Sequence, residues 1–150
     1  MRYIILFITL SLFMISCSKD KFTTVPQIEF KSVNTTVLGS QQIITFTLSL
    51  TDKEGDVAGA KLYIQKVAPS YCPASGFIDT TNVLPSDLPT SASLQADILV
   101  SYSNGGNNPG YSDIAPECNE NDTCYFRFVL TDKAGHVSDT LNSPTIVIIK

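Results

Sequence analysis

Apolar and polar positions alternate with a period of two over most of the chain beyond residue 26, and no segment there reads as a helix. In "PQIEFKS", Ile28 and Phe30 alternate with Gln27, Glu29 and Lys31. "QIITFTLSL" sets Ile44, Phe46, Leu48 and Leu50 against Thr45, Thr47 and Ser49. "AKLYIQKV" alternates Leu62 and Ile64 with Lys61, Tyr63 and Gln65. "LQADILVSY" puts Leu94, Ala96, Ile98, Val100 and Tyr102 on one side, and "CYFRFVL" does so with Cys124, Phe126, Phe128 and Leu130. "TIVIIK" closes the chain. Successive side chains of a strand point to opposite faces, so this pattern marks half-buried strands. Six or seven of them, punctuated by turn residues, predict an all-β sandwich of about seven strands in one domain over residues 27–150.

Two connections interrupt the pattern. Residues 68–93 hold four prolines and many small polar residues, and residues 103–121 are rich in Gly and Asn. Both are predicted as long loops, which are uncommon in a compact domain unless they are functional or disordered. Tyr71, Phe77, Tyr102 and Tyr111 border them. Rings in such places stack on sugars or anchor protein interfaces, or else simply pack onto the sandwich.

The N-terminus is of a different kind. In "MRYIILFITLSLFMISCSKD", Arg2 precedes an apolar run from Tyr3 to Ile15, too short for a span of ~20 apolar residues and suited to a secretory signal. The run ends in "MISC", with Ser16 before Cys17 and charged residues after it. This resembles the lipobox of bacterial lipoproteins, with Met14 where Leu is usual. The resemblance implies cleavage after residue 16 and acyl chains on Cys17, and several chains make a durable anchor where one does not. An ordinary signal peptide with an incidental cysteine, or a short membrane anchor, is the alternative. "SKDK" resembles the export signal of surface lipoproteins in Bacteroidetes-type bacteria. That implies an outer-membrane location, surface-exposed or on the periplasmic face, with residues 17–26 as a tether.

Removal of residues 1–16 takes away only Arg2 among charged groups, leaving 9 Lys and Arg against 14 Asp and Glu, a formal charge of −5 over 134 residues. An acidic domain of this kind argues against nucleic acid as a partner. The membrane, through the lipid, and an envelope protein or glycan remain the expected partners.

One octapeptide nearly recurs: "LTDKEGDV" (50–57) and "LTDKAGHV" (130–137) agree at six of eight positions. Turn chemistry accounts for most of the identity. Asp52 and Asp132 can cap the reversal, Gly55 and Gly135 can supply φ > 0, and Val57 and Val137 would return to the core. "TDKAGHVSDT" is similar to the last hairpin of bacterial immunoglobulin-like domains, with His136 where Asn is usual. "DKEGDV" resembles the acidic turn of many small Bacteroidetes-type lipoproteins, with Glu54 departing from it. The likeness covers about Val25 to Lys150 and implies an immunoglobulin-like sandwich with both turns at one end. Asp52, Glu54, Asp56, Asp132 and Asp139 would then share a rim able to hold Ca²⁺, which takes six to eight oxygens. Two solvated turns are the plainer reading, and no other cofactor is expected.

With Cys17 assigned to lipid, three cysteines remain in an oxidising compartment. The short loop "CNENDTC" favours a Cys118–Cys124 disulfide, and Cys72–Cys118 is the alternative. No catalytic set stands out. His136 is the sole histidine, and its neighbours Ser138 and Asp139 lie in the same turn, a poor geometry for a triad. The expectation is a non-catalytic binding or interaction module at the envelope, working through its long loops and acidic rim. A structural subunit of a larger outer-membrane assembly is the first alternative and a small hydrolase the second.

Overall fold

The computed structural model describes residues 23–82, 91–106 and 108–150. The signal peptide predicted over 1–16, and Cys17, lie outside these. Among the described residues the chain forms ten strands: β1 (Gln27–Val33), β2 (Val37–Leu38), β3 (Ile43–Asp52), β4 (Lys61–Val67), β5 (Phe77–Asn82), β6 (Leu94–Ser103), β7 (Ser112–Asp113), β8 (Asp122–Thr131), β9 (Leu141–Asn142) and β10 (Ile146–Ile148). A short 3-10 turn spans Pro73–Ser75. The fold is all-β, as the alternation predicts.

One sheet runs β1-β3-β6-β7, with β7 parallel to β6 and the rest antiparallel. The other runs β2-β10-β8-β4-β5, with β9 also on β8 and β2 parallel to β10. Their inner faces meet in a single core. Phe46 of β3 lies 4.8 Å from Phe126 and 5.5 Å from Phe128, both on β8, measured between ring centres. Ile44, Phe46, Leu48 and Leu50 are fully buried, as are Leu62, Phe126, Phe128 and Leu130, so each strand hides the parity its sequence marks. Burying each such side chain is worth about 1.5–3 kcal/mol.

Two boundaries move. Residues 68–93 are not a loop throughout, because β5 lies inside them and pairs with β4 from Lys61↔Asn82 to Lys66↔Phe77. Its pattern is masked by inversion: Ile78 points outward and is exposed, whereas Asp79 turns inward and accepts a hydrogen bond from the Tyr102 hydroxyl at 3.2 Å. At the start, Pro26 is buried and the Lys53 N–H donates to the Thr23 carbonyl at 3.0 Å. The last residues of the predicted tether are thus part of the fold.

Candidate functional site

The repeated turns are built as their residues require. Asp52 ends β3, and its Oδ2 accepts the Gly55 N–H at 2.5 Å. Asp132 follows β8, and its Oδ1 accepts the His136 N–H at 2.8 Å. Gly55 and Gly135 have φ of +69° and +90°, a left-handed conformation in which a side chain is strained. The first turn leads from one sheet to the other and the second from β8 toward β9. They meet at one end of the molecule, where the Lys133 N–H donates to the Asp56 carbonyl at 3.4 Å.

Burial sorts the five rim carboxylates. Asp52 and Asp132 are buried, Asp56 is half-buried, and Glu54 and Asp139 are exposed. Asp52 Oδ1 and Asp56 Oδ1 are both buried without a hydrogen-bond partner. Burial raises the Asp52 carboxyl above the ordinary 3.8, and the charges of Asp56 and Asp132 add to the rise. His136 Nδ1 lies 2.9 Å from Asp132 Oδ2, and this hydrogen bond, then the Asp132 charge, lifts the imidazole above 6.5. Among the described residues no three His, Cys, Asp or Glu side chains converge as a metal-ligand group. Val57 is buried as expected, but Val137 is exposed, because the second turn opens onto solvent instead of crossing the core. Ser138 Oγ accepts the Leu130 N–H at 2.9 Å and donates to the Asp139 carbonyl at 3.0 Å, so backbone groups occupy it.

The disulfide joins Cys72 to Cys118, with Cα atoms 6.0 Å apart, and not Cys118 to Cys124. Strand parity explains the correction. Cys124 shares the inward face of β8 with Phe126 and Phe128, is 2% exposed, and is a free thiol that burial pushes up to about 11. The bond ties the two long connections together.

The four loop-border aromatics separate. Tyr102 is buried, stacked on Phe126 at 5.8 Å, and Phe77 packs edge-on against Tyr102 at 5.3 Å. These two belong to the core, whereas Tyr71 and Tyr111 are exposed. The Tyr71 hydroxyl donates to the Asn121 carbonyl.

Two other groups escaped the sequence reading. Lys66 has the parity of Leu62 and Ile64, and Asp122 that of Cys124 and Phe126. Both are buried, and Lys66 Nζ reaches Asp122 Oδ2 at 2.7 Å and the Ile114 carbonyl at 2.9 Å. Parity was the available signal. The second group lies on the outer face of the larger sheet. Register aligns Ile78, Gln65, Arg127 and Asn142 across β5, β4, β8 and β9, with Tyr63 and Val129 paired in the next row but one. Together they line a shallow cleft of about 540 Å³. Arg127 Nη2 donates to the Tyr125 hydroxyl at 2.6 Å, and its guanidinium lies 5.3 Å from that ring's centre. The outward position of Tyr63, between Lys61 and Gln65, was legible in the alternation.

No protein-family model matches this chain, and no curated protein matches it.

Proposed function

We propose that the chain is an envelope lipoprotein whose immunoglobulin-like sandwich serves as a non-catalytic binding module, taking a protein partner on the outer face of its larger sheet. The lipid anchor rests on the "MISC" segment and Cys17. The immunoglobulin-like reading draws support from the strand orders, β1-β3-β6 facing β5-β4-β8-β10, with β2 leaving the first sheet's side to pair in parallel with β10.

One observation carries the binding role. Outward positions of an antiparallel sheet are ordinarily polar. Here that face exposes Tyr63 at 42% and Ile78 at 73%, beside Val129 and Arg127, around the cleft. Tyr and Arg are the residues that dominate protein interfaces, since each combines a large contact area with directed hydrogen bonding. The cleft also draws on β5, which lies in one of the two connections expected to carry function.

The test is site-specific photo-crosslinking in the intact cell envelope from positions 63 and 127. Position 99, on the other sheet, is the control, because Leu99 is 68% exposed. Discrete adducts from 63 and 127 that are missing at 99 support the reading. The same adduct pattern at all three positions refutes it.

A further inference from the structure

We propose that the first of the repeated turns forms a calcium site, with Asp52 and Asp56 as the side-chain ligands. The acidic character of the rim alone would not carry this. What does is the state of two particular oxygens. Asp52 is fully buried, one of its oxygens is spent on the Gly55 N–H, and the other has no donor. Asp56, four residues on, presents a second buried oxygen without a donor. The carboxylates whose charges bear on Asp52 are Asp56 and Asp132.

An ionised carboxylate removed from water needs a positive partner or several donors. Two nearby donors are committed elsewhere, the His136 N–H to Asp132 and the Lys133 N–H to the Asp56 carbonyl, and only the Gly55 and Asp56 N–H groups bear on Asp52. Among the described residues neither Asp52 nor Asp56 has an ion pair, and Lys53 and Lys133 are both exposed to solvent. His136 is engaged with Asp132.

The donor set selects the cation. These ligands are all oxygens, which disfavours zinc. Calcium accepts irregular shells of six to eight oxygens and fills the remainder with peptide carbonyls and water, whereas magnesium demands a near-ideal octahedron. This also meets the lack of a three-side-chain ligand group, since two carboxylates suffice when the backbone and water complete the shell. Of the five carboxylates expected on the rim, Glu54 and Asp139 fall out because they are exposed. The ion would brace the β3–β4 turn, whose Asp56 carbonyl accepts the Lys133 N–H of the β8–β9 turn.

Calorimetric titration of CaCl2 into the chelator-treated full-length protein tests this, with thermal unfolding in parallel. One site is expected, with Kd in the range of about 10⁻⁴ to 10⁻³ M typical of extracellular calcium modules. The unfolding midpoint should rise with calcium and fall back with chelator. Asp52→Asn risks misfolding because that residue is buried, so the half-buried Asp56→Asn is the decisive variant. It should weaken binding by roughly 10-fold or more, because ligand charge count tunes calcium affinity, while Asp139→Asn titrates as the parent does. Absence of heat and of any midpoint shift at about 10 mM calcium, beyond the weakest extracellular sites, overturns the proposal. So does an Asp56→Asn protein that binds like the parent, or an equal response to magnesium.

Discussion

Replacing Lys66 by Met removes a single charge from the interior and leaves its partner behind. Asp122 is 0% exposed and Lys66 1%, and Asp122 Oδ1 has no hydrogen-bond partner even in the intact protein. The variant therefore strands a buried carboxylate with no donor on either oxygen, and the Ile114 carbonyl loses its ammonium donor as well. Breaking a buried pair from one side costs about 3–5 kcal/mol, because the surviving charge keeps its desolvation penalty without its compensation. A domain of this size has about 5–15 kcal/mol of stability in all. At roughly 3–5 °C per kcal/mol, the unfolding midpoint should fall by about 10–25 °C. Urea unfolding monitored by tyrosine fluorescence measures the same loss at equilibrium. The double variant Lys66→Met/Asp122→Leu is the necessary companion. It removes both charges, fills similar volume, and should recover most of the loss, since apolar replacement of a whole buried pair is often neutral or stabilising. A cost below about 1 kcal/mol for Lys66→Met, the range of an exposed pair, would refute the reasoning. A double variant worse than either single one would show that the pair contributes more than it costs to bury.

Three further outcomes are expected. The Cys72–Cys118 bond closes a separation of 46 residues, for which the chain-entropy relation yields about 4 kcal/mol; Cys72→Ser/Cys118→Ser should lower the urea midpoint accordingly, while Cys124 resists iodoacetamide until the protein unfolds. His136 has a folded-state pKa raised above 6.5 by Asp132, so its contribution to stability is complete below about pH 6.5 and lost as pH rises through the raised value. Urea midpoints taken on both sides of that window should differ in the parent and converge in His136→Gln; a parent that is less stable on the acidic side of this window would contradict the assignment. The two turn glycines should respond unequally to alanine. A Cβ at Gly55 would stand 2.2 Å from the Ser91 carbonyl oxygen, whereas one at Gly135 meets nothing within 4 Å. Gly135→Ala should cost only the left-handed strain of about 1–2 kcal/mol, and Gly55→Ala roughly 3–5 kcal/mol, as read by thermal unfolding.

Much of this was open to inspection in the sequence. Strand parity in "QIITFTLSL" and "CYFRFVL" assigns the buried face residue by residue, because alternation is a property of the backbone and needs no knowledge of what lies opposite. The turn residues were equally legible: an Asp cap and a Gly at positive φ are local solutions, and both copies adopt them. Parity also held information that hydrophobicity concealed. Lys66 and Asp122 lie in phase with the core, but neither predicts burial until the other is known to be within reach.

Tertiary structure alone decided which groups meet. β5 escaped notice because Asp79 takes an inward place and Ile78 an outward one, an inversion that makes sense only once Tyr102 supplies the hydrogen bond. The disulfide went to Cys72 because closing a short loop is less decisive than the direction a strand imposes, and β8 points Cys124 into the core. The five carboxylates expected on one rim separate for a similar reason, Asp52 and Asp132 being buried, Asp56 half-buried, and Glu54 and Asp139 exposed. Sequence spacing sets which residues share a turn, but burial, and with it the cost of an unpartnered charge, depends on what the other sheet brings against that turn. The sequence by itself thus determined strands, faces and turns, which follow from the chain's own geometry. Partners separated by tens of residues were determined only by the packing of one sheet on the other.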